Sequence, residues 1–254
     1  MSASTAESAA DGLVTAALMI IGDEILSGRT KDKNIGHVAD HLAGIGIQLK
    51  EVRIVPDDEA EIVTAVNALR QRYTYLFTTG GIGPTHDDIT ADAVAKAFGV
   101  GIDIDDRALK PMLAYFERRG VEVTPARLRM ARIPFGAELV ENSISIAPGF
   151  MLGNVIVMAG IPAIMQVMLD AATKFLKTGR KMLSAAIDLQ RPEGEIAALF
   201  GELQQRYLDV PMGSYPFYRD GKPGTQLVLR STDPARLAEA ENELKMLLAA
   251  RGWL

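Results

Sequence analysis

Hydrophobic positions along this chain switch between two periods. Residues 13–21 form an unbroken apolar run, which predicts a strand covered on both faces of a parallel sheet. Ile35, Val38, Ala39 and Leu42 then recur at helical spacing, predicting a helix over 34–43 that Gly44 and Gly46 stop. Residues 47–55 read as a second strand, and Pro56-Asp57-Asp58 as a turn and N-cap. An amphipathic helix follows over 61–73, with Ile62, Val66 and Leu69 on one face. A strand at 75–78 leads into a glycine-rich loop and a helix over 91–98. Strands alternating with helices predict an α/β fold, a three-layer sandwich around a mostly parallel sheet.

Further along, the pattern predicts a helix over 105–119 ended by Gly120, and a short helix or loop over 125–131. Short strands are expected at 137–141 and 144–147 and an apolar strand at 154–158. The next helix, 163–176, has Pro162 at its first turn. Composition changes near Lys177-Thr178-Gly179-Arg180, which divides the chain into an α/β domain over 13–178 and a small α+β domain over 179–254. In the small domain, strands are expected at 181–189, 212–217 and 226–231, with a hairpin turn at 220–224. Helices are expected at 195–207 and 234–250. Residues 1–12, rich in Ala and Ser, read as a disordered tail. They lack the positive start and apolar core of a signal peptide.

Composition narrows the function. A hydrophobic fraction of 48% across 254 residues supplies a real core. Net charge is −5 with Lys and Arg scattered, which argues against an electrostatic nucleic-acid binder. No apolar run is long enough to span a bilayer, so no membrane association is expected. The absence of cysteine removes disulfides, thiolate catalysis and Cys-based zinc sites, and fits a cytoplasmic location.

The segment Gly80-Gly81-Ile82-Gly83-Pro84-Thr85-His86-Asp87-Asp88-Ile89-Thr90 carries the strongest chemical signal. It lies between a buried strand and a helix, where open α/β sheets bind ligands. Gly80, Gly81 and Gly83 let backbone N–H groups approach a phosphate, with Thr85 beside them. Asp87 and Asp88 supply the oxygen ligands that a hard divalent cation takes alongside substrate phosphates. A similar loop follows the first strand, where Gly22, Asp23, Glu24, Ser27 and Arg29 precede Asp32 and Asn34. First and third strands of such a sheet can be neighbours, so both loops are candidates for one crevice. Pro148 and Gly149 form a third candidate turn, with Phe150 beside it to pack on a ligand ring. Each loop taken alone also serves as a turn with capping residues. His37 and His41 share a helix face without a third ligand and read as exposed surface, and His86 reads as a solvent-facing loop position. No Ser-His-Asp or Ser-Lys arrangement is legible, so metal-assisted phosphate chemistry is favoured over covalent catalysis.

These residues resemble a known family. The Gly22–Gly28 run, Asp32, Asn34, Val55-Pro56-Asp57-Asp58 and the Gly80–Thr90 loop are similar to the amino-terminal domain of the competence/damage-inducible protein A (CinA) family. That domain belongs to the molybdopterin-binding (MoaB/MogA-like) superfamily. Glu141-Asn142 and Ala147-Pro148-Gly149-Phe150 fit its later element, and the resemblance covers roughly residues 14–178. The small domain, with Gly213-Ser214-Tyr215-Pro216, more loosely resembles the corresponding part of eukaryotic FAD synthases. The resemblance is to a short form without the nicotinamide-nucleotide amidase domain, so deamidation is not expected.

Two activities are implied by the resemblance. Long members hydrolyse the pyrophosphate of ADP-ribose or related dinucleotides with Mg²⁺, Mn²⁺ or Co²⁺; relatives in cofactor biosynthesis bind molybdopterin. Carried over, Gly80, Gly81, Gly83 and Thr85 would cradle phosphate, with Gly22, Ser27, Arg29, Asn34, Pro148 and Gly149 as further ligand contacts. Asp87 and Asp88 would be catalytic, and Asp23, Glu24, Asp57 and Asp88 would hold the metal. A homo-oligomer is also implied. The chain departs from the family where a Pro-Gly-Val-Pro-x-Glu-Met run is replaced by Ala159-Gly160-Ile161-Pro162-Ala163-Ile164-Met165, and where Ser143-Ile144-Ser145-Ile146 replaces Pro-Val-Gly-Thr. Losing that proline and glutamate counts against turnover and toward a binding protein.

Overall fold

The structure is a computed structural model, and it describes residues 13–254; the tail expected over 1–12 lies outside the described residues. The chain separates into two compact units that part between Gly179 and Arg180. In chain order the first unit runs β1 (Val14–Ile21), α1 (Asp23–Leu26), α2 (Ile35–Gly44), β2 (Ile47–Val55), α3 (Glu59–Arg72) and β3 (Tyr75–Thr79). It continues with α4 (Thr90–Phe98), β4 (Ile102–Ile104), α5 (Asp106–Arg119), α6 (Pro125–Arg129), β5 (Arg132–Pro134) and β6 (Glu138–Val140). Then come β7 (Gly149–Leu152), β8 (Val155–Met158) and α7 (Pro162–Ala172), with a 3₁₀ turn over Thr173–Phe175.

Six strands form one sheet in the order β2-β1-β3-β8-β7-β6. The first four are parallel, and β7 and β6 extend the sheet antiparallel. The unbroken apolar runs have their physical reason here: β3 and β8 are buried at every residue, and β1 at its last six. On one face Met19, Leu76 and Val157 meet Ile62, Val66, Val94, Met112 and Phe116 from α3, α4 and α5. On the other, Leu18, Phe77 and Ile156 meet Val38, Leu42, Met165 and Leu169 from α2 and α7. Fully burying a side chain such as Phe77 contributes roughly 1.5–3 kcal/mol. The result is the three-layer α/β sandwich that the periodicity predicts.

The second unit contains β9 (Leu183–Leu189), α8 (Glu193–Arg206), β10 (Met212–Arg219), β11 (Lys222–Ser231) and α9 (Pro234–Ala249). Its antiparallel sheet, ordered β10-β11-β9, packs Ile187, Leu189, Leu227 and Leu229 against Ile196, Leu203, Leu237 and Leu244. No helix among the described residues is long and apolar enough to cross a membrane.

Three local expectations change. Residues 144–147 form no strand, because Asn142 captures their backbone. Its Oδ1 accepts from Ile144 N and Ser145 N, and its Nδ2 donates to Ser145 Oγ and Ala147 O. The hairpin turn is shorter than 220–224. Asp220 and Gly221, at φ 55° and 73°, make the whole two-residue connection, and Pro223 and Gly224 lie within β11. Pro223 is tolerated because β11 pairs with β9 only from Thr225 onward. The small strands β4 and β5 pair with each other outside the main sheet and are too short to show a period.

His41 is not an exposed surface residue. It lies half-buried between α2 and α7, with Nε2 2.9 Å from Thr173 Oγ1 and Nδ1 3.4 Å from Asp170 Oδ1. Burial lowers its pKa from the ordinary 6.5; the Asp170 charge opposes that and His37 adds to it. A depressed histidine pKa gives a stabilising contribution that is present above 6.5 and lost as pH falls through the folded value. His41→Gln is therefore expected to flatten the fall in melting temperature between pH 7.5 and pH 5. An unchanged slope in thermal melts refutes the assignment.

Candidate functional site

The carboxyl ends of β1, β2, β3 and β8 open onto a crevice of about 590 Å³. Its floor is the backbone of Gly80, Gly81 and Gly83, and its walls include Glu24, Asp57, Asp88, Asn142 and Ile164. The sheet order puts β1 beside β3, so the two loops singled out in the sequence lie next to each other.

Glycine is required at the base. At Gly80 φ is +103°, and a Cβ there would sit 2.1 Å from the Ile21 carbonyl oxygen. Thr90 secures both ends of the loop: its Oγ1 donates to Gly80 O at 3.0 Å, and its N–H donates to Gly81 O at 3.0 Å. Within the loop, Asp88 Oδ2 accepts from Thr85 N at 2.7 Å and from Thr85 Oγ1 at 2.6 Å. Asp88 thus shapes the turn besides facing the crevice. Arg129 reaches the same turn from α6, donating to Asp88 O at 3.3 Å.

Charge is distributed one-sidedly. Glu24, Asp57, Asp87 and Asp88 all line the crevice, and among the described residues no lysine, arginine or histidine does. Asp57 registers the imbalance. Burial raises its pKa above the ordinary carboxylate value, Asp23 N–H bonding to its Oδ2 at 2.9 Å opposes this, and the charges of Asp23, Glu24 and Asp87 raise it further. Among the described residues no three acidic or histidine side chains gather as a complete cation cage.

The other candidates divide. Gly22 is buried at the end of β1, with its N–H bonded to Val55 O, and Asp23 holds Asp57 through its backbone while its side chain lies outside the crevice walls. Asn34 is buried at the start of α2 and its Nδ2 donates to Gly160 O at 2.8 Å. Asp32 caps that helix through Asn34 N and Ile35 N. Ser27 and Arg29 are exposed on the turn after α1, away from the crevice. Gly149 belongs to the sheet instead: a Cβ there would meet Val157 O at 2.3 Å. Phe150 is 2% exposed within the core, so it offers no stacking face, and Pro148 lines smaller neighbouring cavities. His86 is exposed.

Sequence reasoning missed Arg129 and Thr30, and it cited Asn142 for the family resemblance without giving it a role in the site. Asn142 organises a turn in which Ile146 adopts φ 67°, a strained value for a β-branched residue, beside the crevice. Ala159 and Ile164, the positions that depart from the family pattern, both line the crevice.

Comparison with known proteins agrees with this geometry. Residues 17–178 match the family described as probable molybdopterin binding domain, and residues 181–253 match the FAD synthase middle domain. A protein of Saccharolobus islandicus is 33% identical over 210 residues, spanning 79% of this chain and 80% of its own length. A CinA-like protein of Citrifermentans bemidjiense is 34% identical over 92% of this chain; the chain spans 58% of that relative's length. The crystal structure of the protein CinA, of unknown function, from Thermoplasma acidophilum superposes with a TM-score of 0.59 at 33% identity. It covers 65% of this chain and 99% of its own.

Two substitutions test the frame of the site. Gly80→Ala places a methyl group against the Ile21 carbonyl and is expected to cost more than about 2 kcal/mol. Asn142→Ala frees four part-buried or exposed hydrogen-bonding partners at a cost of about 1–3 kcal/mol. Urea unfolding measures both, and a loss under about 0.5 kcal/mol, the scale of an ordinary surface substitution, contradicts the assigned role.

Proposed function

This chain belongs to the family of probable molybdopterin binding domains, with CinA-like relatives, and from that premise we propose that its crevice is a metal-dependent pyrophosphatase site for a dinucleotide such as ADP-ribose. The observation that carries the proposal is the pairing of a glycine floor with four carboxylates and, among the described residues, no basic residue in the crevice wall. Backbone N–H groups bind phosphate oxygens, but four carboxylates leave the crevice unfavourable to an anion unless a cation accompanies it.

One or two of Glu24, Asp57, Asp87 and Asp88 would hold that divalent cation, with the substrate's phosphate oxygens supplying its remaining ligands. When bound, it would supply charge neutralisation of the pyrophosphate and polarisation of a phosphoryl oxygen. The chain's own part is positional. Gly81 and Gly83 would offer backbone N–H dipoles to the oxygens that gain charge, whereas the Gly80 N–H is taken by Met158 O and Gly80 serves the close approach of the strands. Thr85 and Arg129 hold the Asp88 turn in place. In the reaction, water oxygen bonds to one phosphorus and the bond to the bridging oxygen breaks. AMP and ribose 5-phosphate leave, and the water's protons pass to the phosphate products and solvent.

A second reading has its own observation. Ile164 and Ala159 give the crevice an apolar wall where the family carries glutamate and proline. This favours a protein that binds a nucleotide or a molybdopterin-type phosphate with little turnover.

Product analysis separates the readings. The chain incubated with ADP-ribose and Mg²⁺, Mn²⁺ or Co²⁺ is expected to release AMP, and Asp88→Asn is expected to lower the rate at least 100-fold while keeping the fold. AMP release that is unchanged in Asp88→Asn removes the catalytic assignment. Ligand-induced thermal stabilisation without AMP supports the binding reading, and Ile164→Glu is then the variant expected to gain hydrolysis.

A further inference from the structure

The edges of the two larger sheets are β2 and β6 in the first unit and β10 and β9 in the second. An edge strand presents unpaired N–H and C=O groups to any strand that can reach it. β6 has only three residues. β10 carries Pro216, which has no N–H to give, and Gln204 Oε1 takes the Met212 N–H at 2.8 Å. On β9 the one charged residue, Asp188, is held by Arg219 and Gln226 of its own sheet. β2 is nine residues long, and its second half carries none of these blocks.

The open stretch is defined by the ladder. Val55 O accepts from Gly22 N at 3.2 Å, so Val55 turns its backbone groups toward β1, and by alternation Arg53 and Glu51 do the same. Val52 and Ile54 turn theirs away from the sheet, and their side chains are 38% and 36% exposed. Lys50 is skipped where the register shifts between Ala16 and Ala17, and Pro56 follows the strand. The irregularity and the proline bound residues 51–55 at both ends, which restrains slippage of any strand that pairs there.

The charges of this stretch match themselves. Glu51 and Arg53 lie on the sheet face of Ala17 and Met19, and Arg53 Nη2 donates to Glu51 Oε1 at 2.6 Å. Val52 and Ile54 lie on the opposite face, beside Leu18 and Ile20. About Val52 the sequence therefore places an acid on one side and a base on the other, both on one face.

We propose that β2 is a contact between two copies of this chain, paired antiparallel about a two-fold axis through Val52. The outward N–H and C=O of Val52 exchange two hydrogen bonds with those of Val52 in the second copy. Glu51 of each copy then stands directly opposite Arg53 of the other, and the four side chains form a ladder of alternating charge. Val52 meets Val52 on the other face. The two six-stranded sheets become one, with the crevices at its opposite ends. The contact uses the same patch twice and so closes at two copies. One short edge falls below the roughly 800 Å² per partner of a standard interface, so the dimer is expected to dissociate on dilution. The inference is independent of what the crevice binds.

The test is sedimentation of the full chain from low to high micromolar concentration. The mass is expected to rise from the 27.4 kDa of one chain to twice that value. Val52→Lys, an exposed substitution that sets two like charges on the axis, is expected to weaken the dimer at least tenfold. Arg53→Glu alone opposes acid to acid, and Glu51→Arg alone opposes base to base, so each is expected to remain a single chain. Mixed in equal amounts the two variants match at every charge and are expected to form the two-chain species. Thermal melts identify any variant that does not fold, and Val52→Lys then decides. Single-chain mass at every concentration overturns the proposal, as does an oligomer that Val52→Lys leaves unchanged. Folded Arg53→Glu and Glu51→Arg chains that do not associate when mixed overturn the register about Val52.

Discussion

Everything around the crevice depends on how closely the backbone passes at Gly80. A Cβ at that residue would overlap the Ile21 carbonyl oxygen, and one at Gly160 would come within 3.3 Å of Gly80 Cα. The ends of β1, β3 and β8 therefore meet almost without side chains between them. Gly80 N–H bonds to Met158 O, and Asn34 Nδ2 reaches Gly160 O, tying β8 to β3 and α2 to β8 at one point. From this junction the chain can only turn outward. It does so as the 80–90 loop, whose start and finish Thr90 joins. The loop's backbone N–H groups become available to a ligand because its ends are fixed by the fold and not by its own contacts.

The electrostatics follow from the same geometry. Parallel strands deliver their following loops to one edge of the sheet, so the carboxylates of three separate loops face each other there. Asp57 comes from the loop after β2, Glu24 from that after β1, and Asp87 and Asp88 from that after β3. Each is tolerable alone in water. At the partly buried Asp57, desolvation raises the carboxyl pKa most, and the charges of Asp23, Glu24 and Asp87 raise it further. A cation relieves that repulsion and a bare phosphate worsens it. On the function proposed above, the crevice takes a phosphate that arrives with a metal ion.

Much of this was legible in the sequence because it rested on strong local constraints. The parallel sheet showed in β1, β3 and β8, which are buried on both faces and so cannot tolerate polar residues over most of their length. The 80–90 loop showed because close approach demands glycine and capping demands Thr or Asp. What failed to show rested on contacts distant in sequence or on the backbone alone. Residues 144–147 carry a strand-like pattern, but a single buried Asn142 offers their amides a better partner than a neighbouring strand. His41 has the spacing of a surface pair, yet α7, over 100 residues later, covers it. Ser27 and Arg29 satisfy the composition of a phosphate loop, but the short α1 helix turns them outward.

The strand end also gives up stability that a plain scaffold would keep. Thr78 and Thr79 occupy successive, oppositely facing positions on β3, each with a buried hydroxyl that has no partner among the described residues, and the Asn34 carbonyl oxygen likewise has none. Three such groups around one junction cost the folded state more than apolar residues of similar shape would. Local sequence choice and global stability agree throughout the rest of the β3 strand, where Tyr75, Leu76 and Phe77 fill the core. They part company only where the strand meets the crevice. Conflicts of this kind concentrate at sites shaped for a ligand, because the ligand and not the fold satisfies the groups involved. Of the two threonines, Thr79 alone lies on the sheet face that α2 and α7 cover, while Thr78 shares the face of Leu76, covered by α3, α4 and α5.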